Sequence, residues 1–219
     1  MPKFMNLNQE LAPEIELDDP VWYSDKLDGS LIIFWQRPDG DIEAATKGSF
    51  RSDQAIEATR HFYEEWTLDA RDEVLAALDY GMTWVGELIG PSNRVVLDYA
   101  ADRIAPIGVV DNATGRLEEV SEEGPVSLRD LLAMPDRENA EGWVIRTQDG
   151  EFAKLKQARY LELHRMVSNM TPLNIWRLLS TGSTRESILG DLPDEFHAEA
   201  GNLIDDLLSD FATFEHEFN

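Results

Sequence analysis

Between residues 19 and 157 the chain is cut by glycine, proline, asparagine and aspartate into short apolar runs, and after residue 158 glycine and proline thin out. Short runs between turn residues suit strands joined by tight turns, not a bundle of long helices. In 19–50, VWYSDK, LIIFWQR and IEAAT alternate apolar and polar side chains, with Pro38-Asp39-Gly40 as a turn, which predicts an antiparallel meander. MTWVGELIG, RVVLDYA and RIAPIGVVD read as central strands, Asn112–Gly115 as a turn leading to an edge strand, and GWVIRT with EFAKLKQ as a hairpin closed by Gln148-Asp149-Gly150. Three helices interrupt the strands. Ser52-Asp53 opens the first, with Ala55, Ile56, Thr59, Phe62, Tyr63 and Trp66 at helical spacing; the second spans 69–79 and stops at Gly81; the third is SLRDLLAM with Ser127 as its N-cap.

From residue 158 the segments ARYLELHRMV, PLNIWRLLS, STRESILGDL and PDEFHAEAGNLIDDLLSDFATFEHEF all read as helical, with Pro172 and Pro193 at helix starts. The expected organisation is an α+β domain of largely antiparallel sheets over 1–157 and a small all-helical appendage over 158–219, its dense acidic residues forming a solvated face.

Composition narrows the chemistry. Absence of cysteine excludes disulfides and thiolate metal sites and fits a reducing compartment. No stretch approaches the length of a membrane span, and the first residues lack an apolar run behind a basic segment, so the expectation is a soluble, cytoplasmic protein without a membrane partner. His61, His164, His197 and His216 show no metal-ligand spacing and are expected on the surface or in helix packing. The net charge of -24 opposes contact with phosphate backbones over the surface at large. It fits either a solvated acidic surface or a mimic of nucleic acid.

The cations decide between these. Arginine outnumbers lysine 14 to 5, and four of the five lysines sit in short motifs: Lys26 in SDKLDGS, Lys47 in ATKGS, and Lys154 and Lys156 in FAKLKQ; Lys3 stands apart as a bystander. A nucleic-acid mimic has no use for lysines placed this way. An amine, unlike a guanidinium, can lose its proton and attack as a nucleophile. Residues i and i+2 of a strand share a face, so Lys154 and Lys156 are expected to project together and to require an anion, for which a nucleotide phosphate is the natural candidate.

Taken singly, each motif has a plainer reading. KLDG is a surface turn, Glu87 of GELIG a strand-end acid, Glu141 of EGWV a turn residue, and TKGS hairpin chemistry. Arg51 and Arg94 could contact phosphate or pair with surplus carboxylates, and the six tryptophans suit a core as well as base stacking.

Their fixed order is the specific signal. KLDGS, TKGSFRSDQA, GELIGPSNRVVLDY, EGWV and KLKQARYLELH together resemble the covalent nucleotidyltransferase superfamily of ATP-dependent ligases and capping enzymes, and within it the phage RNA ligase family of the T-even RNA ligase 1 type. The resemblance spans residues 20–164. It implies an ATP-grasp-like nucleotidyltransferase domain over 1–157, ATP and Mg²⁺ or Mn²⁺ as cofactors, and RNA with 5′-phosphate and 3′-hydroxyl ends as partner, with room for an end-healing protein. It also implies residue roles. Lys26 is the nucleophile that takes AMP; Glu141 holds the metal, with Asp28 beside it or placing Lys26; Glu87 accepts from the ribose. Lys154 and Lys156 neutralise the α-phosphate, Lys47 meets the β,γ-phosphates or the RNA end, and Gly29 shapes the turn. Val144 and Ile107–Val109 are candidates for the adenine site.

Two features depart from the family pattern. Only 25 residues precede Lys26, where T-even ligases carry a longer leading segment with nucleotide contacts, and no OB-type barrel pattern follows Lys156. The second departure favours an RNA ligase over a DNA ligase or a capping-type guanylyltransferase. Outside the superfamily, the charge leaves a non-catalytic acidic binding protein as the alternative.

Overall fold

The computed structural model describes residues 3–218 except 120, 191 and 193–195. By its own contacts the chain divides into two compact units, Met1–Tyr160 and Leu161–Asn219. The strands are β1 Met5–Asn6, β2 Pro20–Lys26, β3 Ser30–Gln36, β4 Ile42–Ala45, β5 Met82–Ile89, β6 Arg103–Asp111, β7 Leu117–Glu119, β8 Glu123–Ser127, β9 Gly142–Thr147 and β10 Phe152–Lys156. The helices are α1 Asp53–Glu64, α2 Leu68–Asp79, α3 Leu128–Leu132, α4 Ala158–Asn169, α5 Pro172–Ser180, α6 Arg185–Gly190 and α7 His197–Phe218. The fold is thus α+β, with sheets antiparallel except where β1 lies parallel to β10.

Two five-stranded sheets organise the first unit, one in the order β1-β10-β9-β2-β8 and the other β4-β3-β5-β6-β7. The expected meander over 19–50 is therefore corrected: β2 and β3 pair in different sheets, and only β3 and β4 form a hairpin, closed by Gly40 at φ 97°. Residues 27–29 are the crossing between sheets. A Cβ on Gly29 would stand 2.2 Å from the Leu88 carbonyl oxygen, so the crossing is too tight for any side chain there. The expected strand RVVLDYA is also absent. Residues 94–100 form an irregular segment held to the neighbouring chain by its own N–H groups.

Each sheet covers a core on one face. Ile32, Phe34, Ala44, Trp84 and Leu88 of the second sheet pack against Phe62 of α1 and Val74 of α2, with Phe34 meeting Phe62, Trp66 and Trp84 at 5.3–5.5 Å between ring centroids. Ser52 and Thr67 cap these helices through their side-chain oxygens. Ile56, at helical spacing in the sequence, is exposed, because the core-facing positions of α1 are Ala55, Ala58, His61 and Phe62. On the first sheet Val21, Trp143 and Ile145 pack on Leu128 and Leu131, around α3, whose N-cap is Ser127. The opposite faces of both sheets meet through Phe4, Phe152, Leu31, Ile33 and Ile107.

In the second unit α5, α6 and α7 pack through Ile175, Ile188 and Ile204, and Arg185 pairs with Asp205 at 2.9 Å. Pro172 stands in the first turn of α5, after the Thr171 cap; Pro193 lies outside the described residues. Among the described residues no helix is long and apolar enough to cross a membrane.

Strand register fixes the site. Ser24, Val144 and Lys154 lie abreast across β2, β9 and β10, and Lys26, Gly142 and Lys156 form the next row. Gly142 has φ 145°, and a Cβ there would sit 2.0 Å from the Leu155 carbonyl oxygen. Gly142→Ala must part β9 from β10, and is expected to destabilise the protein by about 2 kcal/mol or more in chemical denaturation. A cost of a few tenths would show that the row tolerates a side chain.

Candidate active site

The row containing Lys26 is bare in its middle because Gly142 has no side chain, and the preceding residue fills the gap. The Glu141 carboxylate, 2% exposed, accepts from Lys26 Nζ at 2.7 Å through one oxygen and from Lys156 Nζ at 2.8 Å through the other. Backbone contacts hold it there: Gln157 N–H donates to the Glu141 carbonyl at 2.9 Å, and the Gln157 amide donates to the Ala140 carbonyl. The expectation of two unpaired lysines on β10 is corrected by this geometry. Lys156 has Glu141 and rests over the Tyr160 ring at 4.9 Å, whereas Lys154 has no ion pair among the described residues.

Beside the bridge opens a cavity of about 840 Å³ between the facing sheets. Lys26, Gly29, Lys47, Glu87, Val144 and Lys154 line it, so six of the sequence-predicted residues converge on one space. Ile107 joins them, but of its neighbours Val109 faces the helix-side core and Gly108 lies against the Glu118 carbonyl. Leu31 and Ile33 supply an apolar floor. Volume and lining suit a nucleotide-sized ligand with an apolar base and anionic phosphates.

Lys3 and Phe4 are lining residues that sequence reasoning missed. They enter next to the two-residue strand β1, which runs parallel to β10 and stacks Phe4 on Phe152 at 4.7 Å. A two-residue strand is too short to show alternation, so nothing in the sequence marked it. Lys3 is therefore no bystander: four of the five lysines line one cavity and the fifth holds Glu141.

Asp28 has a different place from the expected metal or nucleotide ligand. It is 4% exposed and does not line the cavity; one oxygen accepts from Val96 and Leu97 N–H, each at 2.9 Å, and the other from the Tyr160 hydroxyl at 2.7 Å. Its own N–H donates to the Tyr99 hydroxyl at 3.1 Å. With both oxygens so engaged, Asp28 anchors the 94–100 segment and Tyr160 to the sheet crossing. Arg94 turns to the Val96 carbonyl. His61 is buried beside Glu57 and Glu65.

Burial charges this site unusually. Desolvation raises the Glu87 carboxyl to about 7, against the attraction of Lys26 and a hydrogen bond from Gly29. Desolvation likewise lowers Lys154, helped by Lys26 and Lys156. Burial and donation to Asp28 hold the Tyr160 hydroxyl far above its ordinary range.

No family model matches the chain. Solved structures do resemble it. The model superposes on Naegleria gruberi RNA ligase with PPi at TM-score 0.50 and 19% identity, covering 68% of this chain and 52% of that one. A variant of that ligase with ATP and Mn gives TM-score 0.53 and 19% identity, covering 75% and 57%. Another, with AMP and Mn, gives 0.50 and 18%, covering 68% and 53%. The likeness is one of fold. This chain spans about half the length of those ligases.

The raised Glu87 group carries a testable sign. Its folded value of about 7 lies above the ordinary 4.5, so the native state favours the protonated acid; that stability is present below pH 4.5 and is lost as pH rises through 7. Glu87→Gln, which cannot ionise, should match the wild-type melting temperature near pH 4.5 and exceed it increasingly up to about pH 7.5. A difference that is flat across that range would show that Glu87 is not desolvated in solution.

Proposed function

We propose that the chain is an ATP-dependent RNA ligase that joins 5′-phosphate and 3′-hydroxyl RNA ends through a lysyl-AMP intermediate on Lys26. The observation that carries this reading is the Lys26–Glu141–Lys156 bridge beside a lysine-lined cavity of about 840 Å³. Two lines of support come from outside the geometry. The ordered motifs resemble the phage RNA ligase 1 type, and the solved RNA ligases of similar fold were captured with ATP, AMP, PPi and Mn. In this reading the transferase chemistry belongs to residues 1–157, and the helices of 158–219 are an accessory domain.

Lys26 Nζ forms a bond to the α-phosphorus of ATP, the bond to the pyrophosphate oxygen breaks, and the amine gives up a proton. Attack needs the neutral amine, so Glu141, 2.7 Å away, must take that proton or be drawn aside first. Lys154 and Lys156 offset the charge that builds on the α-phosphate oxygens, and Lys47 and Lys3 reach the outer phosphates. Glu87, near half-protonation at neutral pH, hydrogen-bonds the ribose. Val144, Ile107 and Phe4 border the base. AMP then passes to an RNA 5′-phosphate, freeing Lys26, and a 3′-hydroxyl attacks that phosphate, sealing the strand and releasing AMP.

Among the described residues no group of three or more histidine and carboxylate side chains could hold a metal unaided. Glu141 is the carboxylate that would hold Mg²⁺, once a bound nucleotide drew Lys26 or Lys156 away from one of its two engaged oxygens. Bound there, the ion supplies Lewis-acid neutralisation of phosphate charge.

The charge of -24 is the observation behind a second reading, a non-catalytic acidic binding protein. Intact mass after incubation with ATP and Mg²⁺ separates the two. A gain of one AMP is expected, absent in Lys26→Ala and reduced at least about tenfold in rate in Lys156→Ala. Labelling from GTP instead would transfer the chain to capping-type chemistry, and no adduct with either nucleotide would leave the binding-protein reading.

A further inference from the structure

A second cavity, of about 770 Å³, lies outside the site just described and is lined by Trp35, Arg37, Phe50, Arg51 and Ile56 among others. Its position is set by β3. Leu31 and Ile33 line the first cavity, Trp35 and Arg37 the second, and residues two apart on a strand share a face. Adjacent lining positions of the two cavities therefore follow one another along one face of β3 about 7 Å apart, while Ala44, Ala55 and Thr59 close the second cavity from the helix side. The loop after β4 spans the same interval: Lys47 faces the first cavity, Phe50 and Arg51 the second.

The lining has the chemistry of a stacking platform. Phe50 is 66% exposed and rests near edge-on against Trp35, with ring centroids 5.3 Å apart. Trp35 Nε1 is buried and has no hydrogen-bond partner among the described residues, so the indole serves here as an apolar wall behind Phe50. Arg37 is neutralised by Asp39 and Glu43, at 2.8 and 2.9 Å. Arg51 carries no ion pair among the described residues, although Glu43 lines the same cavity and the protein carries 43 acidic residues against 19 basic. An exposed aromatic ring beside a guanidinium without an ion pair, next along β3 to the lysine-lined cavity, matches how single-stranded nucleic acid is held.

We propose that this cavity binds a nucleotide of the RNA strand whose end lies in the lysine cavity, its base stacked on Phe50 and its phosphate on Arg51. This inference rests on the RNA ligase reading for the identity of the strand.

The test measures binding of a short 5′-phosphorylated single-stranded RNA to the full chain, and in parallel the AMP adduct on Lys26. Phe50→Ala should raise Kd about fivefold or more, with Phe50→Trp restoring it. Arg51→Ala should weaken binding and lower the salt dependence by about 0.7 in log Kd per log salt. Both alanine variants should form the adduct as the wild type does, which shows them folded with an intact lysine cavity. Unchanged RNA affinity in both overturns the site, including the case in which the cavity takes a protein segment; so does loss of the adduct in step with loss of binding. A wild type that forms no adduct yet binds RNA through Phe50 would end the ligase reading and keep the site.

Discussion

A single buried carboxylate between two ammonium groups governs the geometry of the first unit's lysine cluster. Glu141 reaches both Lys26 and Lys156 only because the register sets them in one row and Gly142 leaves the space between them bare. Removing one partner from such a buried arrangement strands the others, so the strand pairing, the glycine and the three charged groups stand or fall together. Gln157 extends the dependence to the start of α4 by tying residues 140 and 141 from the far end of β10.

The rest of the electrostatics follows from concentrating cations around one cavity of a protein with net charge -24. Every lysine lies in or beside one cavity, which Arg103 also lines, while other arginines pair with surface acids, as Arg60 does with Glu57, Glu64 and Glu65. Burial raises the Glu87 carboxyl and lowers the Lys154 amine, moving both toward neutrality. A site whose charges are disfavoured by desolvation gains most from a ligand that carries its own compensating charges. A nucleotide with phosphates at one end and an apolar base at the other meets that requirement, and the apolar floor of Leu31 and Ile33 lies in the same cavity.

What could be read from the sequence was whatever depends on local period. Lys154 and Lys156 share a face because strands alternate, Ser52, Thr171 and Ser127 cap helices because their oxygens reach the first-turn N–H groups, and Gly40 turns a hairpin at positive φ. What could not be read was pairing between distant segments. Alternation in VWYSDK and LIIFWQR is the same whether they pair with each other or belong to different sheets. RVVLDYA has the apolar content of a strand, yet its Val96 and Leu97 N–H groups go to a side chain rather than a ladder. Lys3 and the cavity at Phe50 depend on β1 and β3 reaching their final neighbours, which no local pattern encodes.

Asp28 shows most clearly how the two kinds of information differ. Its place between Lys26 and Gly29 suggests a metal ligand or a group that places Lys26, but the burial of its carboxylate under Tyr160, Val96 and Leu97 makes it the fastener between the sheet crossing and two segments remote in sequence. The four residues KLDG thus divide their work. Lys26 ends a strand of the first sheet with its amine at Glu141, Asp28 pins the crossing, and Gly29 allows the chain to pass under the Leu88 carbonyl into the second sheet. Glu87, one residue before Leu88 on β5, faces the cavity from that second sheet. Lys26 and Glu87 thus face one cavity from different sheets, and Asp28 and Gly29 lie at the crossing that joins those sheets.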